Sequence, residues 1–290
     1  MDEDATTRFF TDPENVGGQL EAEGYLPDED TSLTVFLADA LGKPLLIEGP
    51  AGVGKTELAK AVASAAAVPL IRLQCYEGLD ESRALYEWNY SKQLLSIQAT
   101  KDADGLSDDV FSERFLLTRP LLTAIRSETR TVLLIDEIDK TDLEFEGLLL
   151  EILSDFQVTI PELGTMRATA KPFVVLTSNA TRELSEALKR RCLYLNMEYP
   201  SIERERDIVV RRIPGIDETL ARQLAETVEV LRGLELKKAP SIAETLDWGR
   251  TLRALGTTRL DGRTITRTLG VVLKHASDHA RAITGLKLAE

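Results

Sequence analysis

Leu45-Leu46-Ile47-Glu48-Gly49-Pro50-Ala51-Gly52-Val53-Gly54-Lys55-Thr56 is the stretch that decides the fold class. Three apolar residues run as a buried strand into a G-x-x-x-x-G-K-[ST] loop, and an alanine-rich helical pattern over 58–67 follows. That strand–loop–helix order is the context the motif needs to hold a phosphate chain. Its glycines let backbone N–H groups curl round the phosphates, and the helix start turns its partial positive charge toward the anion. In this reading Gly49, Pro50, Ala51, Gly52, Val53 and Gly54 form the cradle, and Glu57 closes the nucleotide-binding run. Lys55 reaches the β- and γ-phosphates, and Thr56 places its hydroxyl on a magnesium ion. A glycine-rich turn that merely contained Lys-Thr would lack both flanks.

A second run supports the first. Val132-Leu133-Leu134-Ile135 reads as a buried strand that ends in Asp136-Glu137. Carboxylates at the C-terminal end of a strand stand where an open α/β sheet binds its ligand. Asp136 is the expected magnesium ligand, and Glu137 the base that polarises a water for attack on the γ-phosphate. A solvated Asp-Glu pair is common at strand ends in isolation, but paired with a phosphate loop in the right order it is the weaker reading. Together the two runs point to a chain that binds and hydrolyses ATP.

The 290 residues are 43% hydrophobic and 29% charged, enough for one sizeable core and a smaller second domain. Cys75 and Cys192, the two cysteines, sit in apolar runs and read as buried thiols in a reducing compartment. The two histidines, His275 and His279, are four apart on one helix and read as surface groups rather than a metal site. No signal peptide and no bilayer-length apolar run is visible, so a cytoplasmic protein without membrane attachment is expected. A net charge of −13 disfavours a broad nucleic-acid surface, whose affinity rests on neutralising phosphates.

Along the chain, residues 1–30 read as an acidic, partly mobile arm packing over the nucleotide site, 31–200 as the α/β core and 201–290 as a helical lid. The core strands are expected at 44–49, 70–75, 131–136, 173–177 and 192–197, with helices at 31–41, 55–67, 141–154 and 183–190. Residues 76–130 show no clear strand, and 101–109 form a charged loop with the composition of a disordered segment. Alternation on either side of Pro161-Glu162-Leu163-Gly164 predicts a β-hairpin. Beyond 200 the pattern is helical only, broken near Pro214-Gly215, Pro240-Ser241 and Asp261-Gly262. Strands alternating with helices predict a parallel sheet with both faces covered. Tyr86, Trp88 and Tyr90 lie in the strand-free region; helical spacing puts Tyr86 and Tyr90 on one face, and core packing is favoured over client contact.

The order of these motifs resembles the AAA+ ATPases, and within them the MoxR family of the helix-2-insert group. The resemblance runs from about residue 25 to the end. It implies a P-loop NTPase core with five parallel strands in the order 5-1-4-3-2 and an all-helical C-terminal lid. Asn179, closing strand four, matches the family's sensor 1, which helps position the attacking water. Glu186-Ala187-Leu188-Lys189-Arg190-Arg191 resembles the segment that ends in the arginine finger, with Arg191 aligned to it. The hairpin at 157–168 matches an insert of the group, and its tip, Leu163-Gly164-Thr165, is a candidate client contact. Leu73-Gln74-Cys75-Tyr76-Glu77-Gly78-Leu79-Asp80, Tyr86-Glu87-Trp88-Asn89-Tyr90 and Glu244-Thr245-Leu246-Asp247-Trp248 are similar to a narrower CoxD-like subgroup. What this implies is a homo-oligomeric ring, a hexamer, that remodels or matures a protein client. The client expected is a metalloenzyme such as a carbon monoxide dehydrogenase, with a von Willebrand A protein as a further partner.

One departure stands out. MoxR proteins carry a sensor 2 arginine in a Ser-Pro-Arg run; here, in Pro240-Ser241-Ile242-Ala243-Glu244, Ala243 occupies its place. Arg250 and Arg253, further along, are the available substitutes. Two other classes compete with the protein remodeller. A nucleic-acid motor of the helix-2-insert group is opposed by the acidity, and a small-molecule P-loop kinase does not explain Asp136-Glu137, Asn179 and the lid together.

Overall fold

The structure, a computed structural model, describes residues 8–101 and 110–288, which fall into two compact units. Residues 8–23, 27–48, 56–101 and 110–196 make the first, and 24–26, 49–55 and 197–288 the second.

Among the described residues, nine strands belong to the first unit: β1 (Leu45–Glu48), β2 (Leu70–Gln74), β3 (Tyr86–Trp88), β4 (Leu116–Thr118), β5 (Val132–Asp136), β6 (Gln157–Ile160), β7 (Gly164–Arg167), β8 (Phe173–Ser178) and β9 (Leu193–Asn196). Five of them form one parallel sheet in the order β2-β5-β8-β1-β9. Counting only core strands, this is 5-1-4-3-2 read from the β9 edge, the order expected from the resemblance. The two strands at its heart, β5 and β8, are buried at every residue. That is why Val132-Leu133-Leu134-Ile135 and Phe173-Val174-Val175-Leu176 are continuous apolar runs: helices cover both faces of a parallel sheet. The helices of this unit are α1 (Pro13–Ala22), α2 (Glu29–Leu41), α3 (Lys55–Ala65), α4 (Glu81–Ala84), α5 (Tyr90–Lys101), α6 (Pro120–Ile125), α7 (Leu143–Asp155) and α8 (Glu186–Lys189). The expected hairpin forms as β6 and β7, paired from Gln157↔Arg167 to Ile160↔Gly164.

Two expectations need correction. The stretch 76–130 is not strand-free: β3 and β4 pair antiparallel, Tyr86 opposite Thr118 and Trp88 opposite Leu116. Three-residue strands are too short to show a period in sequence. Tyr86 and Trp88 therefore share a strand face, with rings edge to face at 6.3 Å, and Tyr90 opens α5 instead of stacking on Tyr86. Trp88 is core, whereas Tyr90 is 61% exposed. The charged loop expected at 101–109 lies outside the described residues except for Lys101, the last residue of α5.

The described start of the N-terminal arm packs against α2. Asp39, fully buried on α2, accepts the backbone N–H groups of Phe9 at 2.7 Å and Phe10 at 3.1 Å and pairs with Arg130 at 2.6 Å. The Arg130 guanidinium lies 4.1 Å from the centre of the Phe9 ring, and Phe10, Val16 and Leu20 are buried. Hydrogen bonds to a buried carboxylate are strong because the alternative is an unsatisfied charge.

Among its described residues the second unit carries five helices: α9 (Ile202–Arg212), α10 (Glu218–Arg232), α11 (Ile242–Ala254), α12 (Gly262–Val272) and α13 (Ala276–Gly285). Ser201, Asp217, Ser241 and Asp261 cap the first four by accepting backbone N–H groups of the opening turn. Each such cap contributes about 1 kcal/mol. Leu220, Leu224, Val228 and Leu231 of α10 form an apolar stripe on a core that also buries Trp248, Leu252, Leu269 and Val272. Trp248 satisfies its buried Nε1–H on Thr268 Oγ1 at 2.8 Å. A buried ion pair, Arg232 with Glu205 at 2.5 Å, ties α10 to α9.

Candidate nucleotide site

In the first unit the parallel register builds a cluster at the C-terminal ends of the strands. β5 delivers Asp136, which is 2% exposed. Its Oδ1 accepts from Thr56 Oγ1 at 3.0 Å and from Thr177 Oγ1 at 2.5 Å. Its Oδ2 accepts from Arg72 Nη2 at 2.6 Å and Nε at 3.1 Å. Arg72 Nη2 also donates to Gln74 Oε1, which leaves the Gln74 amide nitrogen to donate to Glu137 Oε2 at 2.8 Å. Lys140 Nζ donates to the same Glu137 oxygen at 2.6 Å, and Asn179 Nδ2 to the other at 3.3 Å. The bond to Glu137 raises the pKa of the Lys140 ammonium.

Glu137 leaves the strand in the left-handed region, φ 61° and ψ 48°. For a residue with a Cβ this costs about 1–2 kcal/mol. Thr177 holds it there: its hydroxyl accepts the Glu137 N–H at 2.9 Å while donating to Asp136. One buried hydroxyl on β8 therefore fixes both carboxylate residues.

The turn after Glu137 is stapled to the segment that follows β8. Asp139 Oδ2 accepts from Thr181 N at 3.2 Å and Thr181 Oγ1 at 2.6 Å. Burial pushes the Asp139 carboxyl up, but the Thr181 hydroxyl and backbone N–H bonds outweigh it and hold the pKa below the usual value. Arg182 donates to the carbonyls of Thr141 at 2.8 Å and Ile138 at 3.4 Å and pairs with buried Glu146 at 2.5 Å. Glu146 also accepts the Ser185 N–H at 2.9 Å. These bonds occupy residues 181–185 in a loop, which is why α8 begins only at Glu186 and not at 183 as the sequence predicts.

The structure thus brings Thr56, Asp136, Glu137 and Asn179 together. Arg191 is placed elsewhere: its Nε donates to Ser154 Oγ at 2.9 Å, and the neighbouring Arg190 ends α8 exposed. Sequence reasoning missed Arg72, Gln74, Lys140 and Thr177. The signal was available for three of them once the strands were paired. Gln74 is level with Asp136, Arg72 lies two residues back on the same face, and the pairing Ile135↔Leu176 brings the next two residues, Asp136 and Thr177, level.

In the second unit the phosphate loop, 49–55, is folded about its lysine. Lys55 is 6% exposed, and its Nζ donates to the carbonyls of Gly49 at 2.7 Å and Pro50 at 2.9 Å. Gly24–Leu26 belong to this unit too, and a Cβ added at Gly54 would lie 4.0 Å from the Tyr25 ring. The start of α11 touches the loop: Ile242 N–H donates to Gly52 O at 3.2 Å. Ala243 is exposed on that first turn. At 1.5 Å rise per residue, Arg250 and Arg253 begin about 12 and 16 Å further along the helix, beyond an arginine's reach to the loop. Arg250 pairs instead with Asp247 at 2.9 Å, and the Arg253 guanidinium lies against Gly215. Neither arginine takes the vacated position.

Both thiols are held in the neutral form. Cys75 is pushed up to about 12 by burial and then by the negative charge of Asp136, and Cys192 to about 12 by burial. Among the described residues no cluster of three or more His, Cys, Asp or Glu side chains is arranged to hold a metal ion without further ligands. Nor, among them, is any helix long and apolar enough to cross a membrane.

A phosphate loop between β1 and α3 and paired strand-end carboxylates on a 5-1-4-3-2 sheet define a P-loop ATPase. Residues 45–198 match the model of the ATPase family associated with various cellular activities (AAA), and the chain belongs to that family as a MoxR-like AAA+ ATPase. It is similar to Protein NorQ of Paracoccus denitrificans, 23% identical over 278 residues that cover 93% of each chain. It is also similar to the denitrification regulatory protein NirQ of Pseudomonas aeruginosa, 25% identical over 70% of this chain and 73% of the other. Among solved structures, a point mutant of Thermotoga maritima RuvB matches with a TM-score of 0.50 at 18% identity, covering 91% of this chain and 72% of that one. That likeness is one of fold.

Proposed function

We propose that this ATPase hydrolyses magnesium-bound ATP through Lys55, Thr56, Asp136 and Glu137 and uses the energy to remodel or mature a partner protein. The observation that carries the catalytic half is the meeting of Thr56 Oγ1 and Asp136 Oδ1 at 3.0 Å, from positions eighty residues apart. A hydroxyl and a carboxylate side by side are hard oxygen donors of the kind magnesium takes beside triphosphate oxygens. Magnesium, when bound by Thr56 and Asp136, would offset charge on the β- and γ-phosphates. The residues of the loop, Gly49 to Thr56 with Glu57 beyond, cradle the phosphates, and Lys55 moves its ammonium from the loop carbonyls to the γ-phosphate.

Glu137 accepts the proton of the attacking water as the water oxygen bonds to the γ-phosphorus and the bond to the β–γ bridging oxygen breaks, releasing ADP and phosphate. To do so it exchanges one of its present donors, Gln74 or Lys140, for the water. Asn179, already on the other Glu137 oxygen, orients that water. Positioning and charge stabilisation supply most of the rate in phosphoryl transfer. Arg191 acts from a neighbouring subunit of a ring, a hexamer in this reading, so turnover rises with assembly. Its exposed placement just past α8, away from Asp136 and Glu137 of its own chain, supports a role in trans.

The client half rests on chemistry and kinship. A net charge of −13 argues for a protein client over nucleic acid. The name of one relative, a denitrification regulatory protein, fits an ATPase that serves another protein. The CoxD-like runs point to metal-centre assembly in an enzyme such as a carbon monoxide dehydrogenase, with a von Willebrand A protein as adaptor. The test is capture from native lysate on the Glu137→Gln variant with and without ATP. An ATP-dependent catch of a metalloenzyme or a von Willebrand A protein supports the maturation reading. Recovery dominated by nuclease-sensitive nucleic-acid complexes overturns it in favour of a motor.

A further inference from the structure

We infer that Ser241 and Ile242, at the start of α11, are positioning residues for the phosphate loop, acting through Gly52 in the segment where an arginine was expected. The inference rests on the loop's nucleotide-binding reading. A helix start leaves its first N–H groups without intrahelical partners. Here Ser241 Oγ accepts the Glu244 N–H at 3.3 Å, but the Ile242 N–H goes to the phosphate loop, on Gly52 O at 3.2 Å. The peptide unit is planar and trans, so a Gly52 carbonyl turned toward Ile242 points the Val53 N–H the opposite way, away from α11. A loop that must present N–H groups to an anion is thereby held with one carbonyl facing out and the following N–H facing in.

The contact is steric as well. Gly52 has φ +74°, and a Cβ there would lie 2.3 Å from Ser241 Cβ and 2.9 Å from Ser241 Oγ. The motif itself leaves residue 52 open; the left-handed backbone and the seat of Ser241 together demand glycine. Ser241 cannot give way easily. Its N–H and its hydroxyl both donate to Glu244 Oε2 at 2.8 Å, closing a capping box. On its other side, the Pro240 carbonyl accepts from Arg232 Nε at 2.9 Å, and Arg232 grips Glu205 at 2.5 and 2.8 Å under the Tyr199 ring. Thr245, one turn into α11, donates to the same Glu205 at 2.7 Å. A buried ion pair and a capping box therefore brace the residue that presses on the loop.

The test is a double-mutant cycle of Gly52→Ala and Ser241→Gly in the full chain, read twice: by titration of ATP binding and by the unfolding midpoint without nucleotide. Glycine retains most N-cap function, so Ser241→Gly removes the two clashing atoms at little cost to α11. Gly52→Ala alone is expected to weaken ATP binding about tenfold or more. The double variant is expected to bind at least about threefold more tightly than Gly52→Ala alone, the non-additivity of residues in contact. Additive losses in ATP affinity would overturn the inference, even if the unfolding midpoints are coupled, because the contact would then be structural only. Failure of the parent protein to bind ATP would count instead against the nucleotide reading on which the inference rests.

Discussion

Replacing Thr177 with valine keeps the shape of a fully buried β8 side chain and deletes the one hydroxyl that holds the Asp136 carboxylate and the Glu137 backbone. In the parent, that hydroxyl donates to Asp136 at 2.5 Å and accepts the Glu137 N–H at 2.9 Å. Loss of a hydrogen bond to a buried charge costs about 1.5–3 kcal/mol, and an orphaned N–H about 1–3 kcal/mol. Asp136 retains Thr56 and Arg72, so the lower ends of these ranges apply, about 2.5 kcal/mol together. For a unit of this size that lowers the thermal midpoint by about 5–10 °C. Glu137 loses the bond that stabilises its left-handed backbone, and a misplacement of about 1 Å in a reacting group costs about a hundredfold in rate. Thr177→Ser is the control: it restores the hydroxyl and removes only a methyl group, about 1 kcal/mol. Thermal unfolding and steady-state ATPase assays on the three proteins decide the matter. The reasoning fails if valine and serine variants melt together and turn over at the parental rate.

Arg232→Ala leaves Glu205 buried without its partner and is expected to cost about 3–5 kcal/mol in urea unfolding, far more than the exposed-pair variant Arg250→Ala. Cys75 and Cys192 titrate near 12 in the folded protein against an ordinary 9, so their contribution to stability is complete below pH 9 and is lost as pH rises from there toward 12. Both thiols should stay silent to Ellman's reagent at pH 8 until the chain unfolds, and a Cys75→Ala/Cys192→Ala variant should show a flatter alkaline limb in its melting profile. Arg191→Ala should abolish the rise of specific activity with protein concentration, about 10³-fold in rate at saturation, while mixing with Glu137→Gln subunits that retain Arg191 restores turnover. If Arg190→Ala does this and Arg191→Ala does not, the exposed neighbour is the finger.

How much of this was legible in the sequence varies by element. The five core strands were, because β5 and β8 are covered on both faces and must read as unbroken apolar runs. The hairpin was, because Pro161 and Gly164 punctuate two alternating runs. β3 and β4 were not: three residues cannot establish a period, and their pairing joins Tyr86 to Thr118 across a long excursion. The site was half legible. Asp136, Glu137, Lys55 and Thr56 lie in contiguous motifs, and Asn179 ends a readable strand. Arg72, Gln74 and Thr177 become functional candidates only when the sheet order sets them beside Asp136, since nothing in their own neighbourhoods distinguishes them from ordinary strand polar residues. The anchoring of the N-terminal segment was hidden for the same reason: Asp39 reads as one more polar position on α2 until Arg130, Phe9 and Phe10 converge on it.

The central claim is that this AAA+ chain hydrolyses ATP with Glu137 as the base, and one variant tests it most directly. Glu137→Gln preserves size and keeps one side-chain oxygen to accept from either Asn179 or Lys140, so the loop and Asp136 are left intact. Nucleotide titration and phosphate-release assays on parent and variant, at equal protein concentration, give the decisive comparison. Retained ATP affinity, within about threefold, with turnover lowered by about 10² or more is the expected result for loss of a general base. Turnover at the parental rate would contradict it and return the role of base to another residue.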